Sequence, residues 1–230
     1  LQVLSGLPPE LWEALLLTLR LAFVVTILLL LVSIPLAFGL SRSRRRALLA
    51  VETIVSLPIV LPPTVIGFYL LMLFSPQQPF GRFWLKLTGQ TLTFTFEGLV
   101  IGSIIYSLPY AVQPILSAFK SVPPELLDAA RTLGASGWQV FRHVMLPLSR
   151  HGLGVAAILG FAHTLGEFGV VVMLGGSIPG KTKVASIALY DEVQKLNYEA
   201  AHQYAVILLV ISFVMLLAMT VIQHKMDEDV

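Results

Sequence analysis

Asp128-Ala129-Ala130-Arg131-Thr132-Leu133-Gly134, nine further residues and then Val144-Met145-Leu146-Pro147 form a short water-soluble island between two strongly apolar stretches. A chain that keeps such an island in otherwise greasy surroundings has a use for it in water, and docking a partner is the simplest use. The surroundings are greasy throughout. Of 230 residues, 56% are apolar and only 12% charged, and the mean hydropathy is +0.84. These values place the chain among integral membrane proteins with an all-α, polytopic helical body, a single transmembrane domain over residues 1–230 whose solvent is mostly lipid. A net charge of +2 gives no reason to expect a nucleic-acid partner, and the absence of cysteine excludes disulfides and thiol chemistry.

Five stretches reach the roughly 20 apolar residues that a helix needs to cross the hydrocarbon layer: residues 15–40, 53–74, 98–119, 152–174 and 201–222. The first runs past the length of a secretory h-region and ends in Ser41-Arg42-Ser43-Arg44-Arg45-Arg46 with no small-residue cleavage site, so it is expected to be a retained span. Those arginines belong on the cytoplasmic side. Lys120, Arg131, Arg142 and Arg150 make the third connection basic as well, whereas the second carries only Arg82 and Lys86. The last connection balances Lys181, Lys183 and Lys195 against Asp191, Glu192 and Glu199. Charge bias and span parity then agree on a multi-pass membrane protein with its N-terminus outside, its C-terminus inside and the 120–147 loop in the cytoplasm.

The second span contains Pro58, Pro62 and Pro63, followed by Thr64 and Gly67, and the third contains Pro109 and Pro114. Each proline removes a backbone donor and crowds the preceding turn, so both spans are expected to bend or locally unwind. The bends serve either packing alone or a hinge and pathway lining at Pro58, Pro62, Pro63, Thr64 and Gly67. In the fourth span Gly152, Ala156 and Gly160 form a small-residue stripe for close helix approach. Glu167 is the one acid well inside a predicted span. Burying its charge costs about 2.5–3.5 kcal/mol on insertion scales, so it is expected to face protein or water and to brace a gate, with His163 one turn away as its nearest local partner. The five histidines lack metal-ligand spacing.

Within the island, Pro123-Pro124 can open a helix whose first turn carries Glu125 and Asp128, and Gly134 suits a left-handed stop. Ser136 can cap a second helix through Val144, with Pro147 discouraging its continuation.

The spacing resembles the EAA loop of importer permeases of the ATP-binding-cassette family: Glu-Ala-Ala, three residues, Gly, nine residues, Ile, one residue, Leu-Pro. Asp128 stands at the Glu position and Val144 at the Ile position, while Ala129, Ala130, Gly134, Leu146 and Pro147 match. The resemblance implies a type I importer-like bundle in which Glu125, Asp128, Ala129, Ala130, Gly134, Leu146 and Pro147 couple the spans to a cytoplasmic ATPase. Leu57-Pro58 through Val65-Ile66-Gly67, Leu165-Gly166-Glu167-Phe168-Gly169 and Ile178-Pro179-Gly180-Lys181-Thr182 resemble the oxyanion branch of that family. The molybdate permeases are the nearest match, and the same segments also suit tungstate, sulfate or thiosulfate. The partners so implied are a second copy of the chain, two ATPase subunits and an external oxyanion-binding protein that Lys181 and Lys183 could contact. ATP and Mg would reside in the ATPases. The chain itself has no Gly-x-x-x-x-Gly-Lys-Ser/Thr segment, so it is expected to be non-catalytic and without a cofactor. Two other classes fit the apolar pattern alone, namely a gradient-driven carrier or channel, and a membrane scaffold.

Overall fold

Leu11, Leu15, Thr18, Leu21, Val25 and Leu29 recur every three or four residues along the first apolar stretch and are buried on one face of a 33-residue helix, α1 (Pro9–Ser41). The computed structural model describes residues 9–42 and 46–228, so Arg44 and Arg45 of the basic run lie outside the described residues. The elements that follow are α2 (Arg46–Val60), α3 (Pro63–Phe74), α4 (Pro79–Thr88), α5 (Phe96–Ser121) and α6 (Pro124–Thr132). Next come α7 (Gly137–Val140), a π turn (Phe141–Met145) and α8 (Leu146–Leu148), then α9 (Arg150–Leu165), α10 (Gly169–Gly175), α11 (Ala185–Gln194) and α12 (Tyr198–Glu228). There is no strand among the described residues. Among the described residues three helices are long and apolar enough to cross a membrane, and the count reaches five when each sharply bent helix pair is one span.

The second span differs from a merely bent helix. α2 and α3 meet at 114°. The cause is local: Leu61 precedes Pro62 and Pro62 precedes Pro63, and a residue before proline is pushed out of the helical region. Pro62 accordingly sits at φ −55°, ψ 135°, and Pro63 restarts a helix at its first position, where no donor is needed. Pro58 stays inside α2. The third span is not unwound: α5 continues as one helix through both Pro109 and Pro114. The fourth is interrupted: α9 ends at Leu165 and α10 begins at Gly169, so Glu167 occupies a break between helices.

α1, α5 and α9 form the central trio. Their contact depends on the small-residue stripe, for a Cβ on Gly152 would come within 2.9 Å of the Pro114 carbonyl oxygen, and one on Gly160 within 2.8 Å of Leu29. Two apolar clusters divide the bundle. One joins Leu21 and Val25 of α1 to Leu70 of α3, Leu99 of α5, Val170 of α10 and Ile187 of α11. The other joins the opposite ends of α1 and α5 to the island through Leu127, Val140, Phe141 and Met145. A third, smaller cluster seats α12 on the start of α1 through Leu11, Leu15, Ala188 and Tyr204.

Candidate functional site

In the island, α6 opens on Pro124 and ends at Thr132, and it is closed off by Gly134, whose φ of +88° only glycine adopts without strain. The Gly134 N–H donates to the Arg131 carbonyl at 2.9 Å and the Ala135 N–H to the Ala130 carbonyl at 3.0 Å. That pair of bonds is a Schellman stop. Ser136 then caps α7 reciprocally with Gln139: the Gln139 N–H donates to the Ser136 hydroxyl at 3.3 Å, and the Ser136 N–H to the Gln139 side chain at 2.7 Å.

The helix begun there does not stop near Val144. It widens into the π turn, where the Leu146 N–H reaches back five residues to the Phe141 carbonyl, and passes through Pro147 to Leu148. A proline ring clashes with the carbonyl four residues earlier in an α-helix, and the wider turn relieves that clash. Direction changes only at Ser149, where the segment meets α9 at 71°.

Glu125, Asp128, Ala129, Gly134 and Pro147 are exposed, whereas Ala130 and Leu146 are half-buried. A cleft of about 360 Å³ lies between the arms of the island, lined by Ala130, Leu133, Gly134, Gln139 and Val144 among others. Beside it project Leu133, 88% exposed, and Trp138, 65% exposed. Asp128 spends its charge on Arg131 at 2.9 Å, an exposed pair that contributes under ~1 kcal/mol. Leu146 and Pro147 are not part of the cleft lining; Leu146 packs instead on the apolar cluster beneath.

That cluster carries contacts absent from the expected site. The ring of Phe141 lies 4.7 Å from Phe38 of α1 and 6.2 Å from Phe119 of α5, and those two rings are 6.5 Å apart. The Ser149 hydroxyl donates to the Ala118 carbonyl at 3.3 Å. The island is therefore keyed into the ends of two central helices. The only sequence signal is the Val140, Phe141, Val144, Met145 spacing, one apolar face of a short surface helix.

A second site lies where the broken spans meet. Gly67 and Gly169 let α3 and α10 touch: a Cβ on Gly67 would stand 2.8 Å from the Met173 side chain, and one on Gly169 2.8 Å from Pro63. Beside this crossing is a cavity of about 440 Å³ lined by Pro63, Thr64, Tyr106, His163, Glu167 and Gly169, with no lysine or arginine among its described lining residues. Three expected pathway residues, Pro63, Thr64 and Glu167, thus share one cavity. Gly67 forms the contact behind it, while Pro58 and Pro62 stand outside the lining.

His163 is not the partner of Glu167. Its Nδ1 pairs with the Ser107 hydroxyl at 2.9 Å, and its ring stacks on Tyr110 with centroids 3.9 Å apart. The Glu167 side chain is 4% exposed, and neither carboxyl oxygen has a hydrogen-bond partner among the described residues. Bracing comes from its backbone, whose carbonyl accepts a 2.6 Å hydrogen bond from Ser186 of α11.

The loop after α10 is folded around Thr182. Its hydroxyl donates to the Gly175 carbonyl at 2.7 Å and accepts from the Ile178 N–H at 3.2 Å. Lys181 is exposed. Lys183 is largely covered and paired with Asp191 at 3.1 Å, so its charge is already answered within the chain. Nearby, the Lys195 ammonium hydrogen-bonded to Glu192 at 2.8 Å holds that carboxyl below its ordinary range.

Residues 30–228 match the family model described as binding-protein-dependent transport system inner membrane component. The chain is 48% identical over 203 residues to the molybdenum transport system permease protein ModB of Azotobacter vinelandii, covering 88% of this chain and 90% of that protein. With the sulfate transport system permease protein CysT of Escherichia coli it shares 32% identity over 222 residues, covering 96% and 80%. Its fold superposes on a bacterial ABC transporter that imports alginate, with a TM-score of 0.79 at 20% identity and coverage of 97% and 82%. The MetNI methionine ABC transporter in an inward-facing conformation gives 0.71 at 18% identity, with 94% of each chain covered.

Proposed function

Because the chain belongs to the family of binding-protein-dependent transport system inner membrane components, we propose that it is the membrane-spanning permease subunit of an ATP-driven importer that passes molybdate, and with it tungstate. The observation that carries the substrate is the 48% identity to a molybdenum permease across 88% of the chain, against 32% to a sulfate permease. Family membership also sets aside the gradient-driven carrier and the scaffold. ATP and Mg act in partner ATPases, and this subunit holds no catalytic group.

In this reading the island is cytoplasmic, with the N-terminus outside and the C-terminus inside, and Leu133 at the cleft supplies an apolar anchor for an ATPase. Closure of two ATPases moves two copies of the island, and the Phe38, Phe119 and Phe141 contact passes that movement to α1 and α5. Thr64, Phe68 and Tyr69 leave one side of α3 exposed. A second copy of the chain closes the pathway there.

The cavity offers hydroxyls, an imidazole and the Glu167 carboxyl, with no cation among its described lining residues, which suits a conduit that must release a dianion rather than hold it. Selection then falls to an external binding protein. Lys181 is the better placed of the two loop lysines to meet it, since Lys183 is engaged by Asp191.

The deciding experiment reconstitutes the chain with its ATPase and binding protein in vesicles and measures molybdate uptake against competitors. Uptake that needs ATP and is blocked by tungstate but little by sulfate is the expected result. Preference for sulfate would move the protein to the sulfate branch, and uptake without the ATPase would overturn the coupling.

Cysteine scanning of this naturally cysteine-free chain from Pro58 to Tyr69 tests the pathway. Thr64 should label from water with a rate that changes on nucleotide binding. Ile66 should stay protected, because it is buried. Equal protection at every position in every state would remove α3 from the pathway.

A further inference from the structure

A groove of about 460 Å³ runs along α1 toward the island. Its first wall is Leu31, Ile34, Pro35 and Phe38, which share one helical face, and its second is Trp138 and Phe141. That volume falls within the ~300–1,000 Å³ typical of small-molecule sites. Its position and its mouth point to one occupant. Leu31 lies ten residues inside the Ser41 end of α1, a depth of about 15 Å at ~1.5 Å per residue and half of a ~30 Å hydrocarbon core. A water-soluble ATPase cannot follow the groove to that depth. The walls offer no hydrogen-bonding side chain except the Trp138 indole, so irregular peptide backbone would be left unsatisfied there, whereas a hydrocarbon chain needs no partner.

The mouth is cationic. The Arg42 guanidinium sits over the Phe38 ring at 5.8 Å, within electrostatic reach of Arg131. Among the described residues, the acid within electrostatic reach of Arg42 is Asp128, which is already paired with Arg131. Clusters of this kind beside a cytoplasmic leaflet recognise anionic headgroups.

We propose that the groove binds an acyl chain of an anionic phospholipid of the inner leaflet, with the headgroup phosphate on Arg42. One wall belongs to a span and the other to the island, so the lipid bridges the two parts whose relative motion couples ATP to transport. The inference rests on the cytoplasmic placement of the island in the proposed function.

Trp138 is a built-in reporter. With Trp12→Phe and Trp84→Phe it becomes the chain's single tryptophan. The full-length chain in phosphatidylcholine vesicles should have its fluorescence quenched by a minor fraction of brominated phosphatidylglycerol at about fivefold lower lipid fraction than by brominated phosphatidylcholine, the preference conferred by roughly one basic residue at an anionic surface. Arg42→Gln should bring the two lipids to equality. Gly137→Leu, which places a side chain where a Cβ meets nothing within 4 Å, should reduce quenching by both.

Equal quenching by the two lipids in the parent chain would overturn the proposal, as would loss of quenching once the ATPase is bound, which would make the groove a partner's seat. ATP-driven uptake by a chain without lipid preference defeats this inference alone. A lipid preference in a chain that does not transport defeats the importer reading alone.

Discussion

Replacing Gly134 with proline is expected to abolish ATP-driven uptake, by tenfold or more, while leaving membrane insertion and the yield of folded permease unchanged. Gly134 holds φ at +88°, and proline is fixed near −65°. The substitution also deletes the N–H that donates to the Arg131 carbonyl at 2.9 Å. Together these changes cost about 3 kcal/mol or more at one turn, too much for the Schellman stop to survive. The damage stays local, because no spanning helix touches the site: a Cβ at Gly134 meets nothing within 4 Å. What changes is the angle between α6 and α7, and with it the cleft that presents Leu133. Gly134→Ala gives the graded comparison, since alanine keeps the N–H and meets only the left-handed penalty of about 1–2 kcal/mol. Partial uptake is expected from it. Insertion is read by yield in membranes, coupling by uptake and by ATPase copurification, and full uptake from the proline variant would sink the coupling role of this turn.

The parts of the molecule that the sequence makes legible are those governed by local chemistry. Hydropathy locates the spans because a lipid environment penalises every exposed polar group alike. The Gly134 stop and the Ser136 cap are readable because each is written within four or five residues. The same reasoning treats Pro58 and Pro62 as equivalent, yet only Pro62 breaks the helix. The difference lies in the next residue: Pro63 forces Pro62 out of the helical region, while Ile59 makes no such demand on Pro58. The break at Gly166-Glu167-Phe168 is hidden because the span's hydropathy averages over three residues. The partner of His163 is hidden for another reason. Ser107 is 56 positions away, brought close only by the packing of α5 on α9, and proximity along one helix suggested Glu167 instead. The aromatic contact of Phe38, Phe119 and Phe141 is likewise a property of three separate segments.

Gly169→Leu is expected to reduce uptake by tenfold or more and to lower thermal stability of the purified protein, because the α3–α10 crossing has no room to yield. A Cβ at Gly169 would lie 2.8 Å from Pro63 Cβ and 3.1 Å from the Thr64 backbone nitrogen. Neither can rotate away as the tip of a flexible side chain could, so α3 itself must shift. Overpacking of this sort costs about 1–3 kcal/mol, and here it displaces Pro63 and Thr64, which line the same cavity as Glu167. Gly67→Leu should act similarly from the opposite side, through Met173 and the Val170 backbone. The control is Gly154→Ala, on exposed α9 surface, where a Cβ meets nothing within 4 Å. Alanine there should leave uptake unchanged and stabilise α9 by up to about 1 kcal/mol through helix propensity. If Gly169→Leu transported at the parental rate, the crossing would not position the pathway, and the cavity beside it would have to be a packing defect between half-helices.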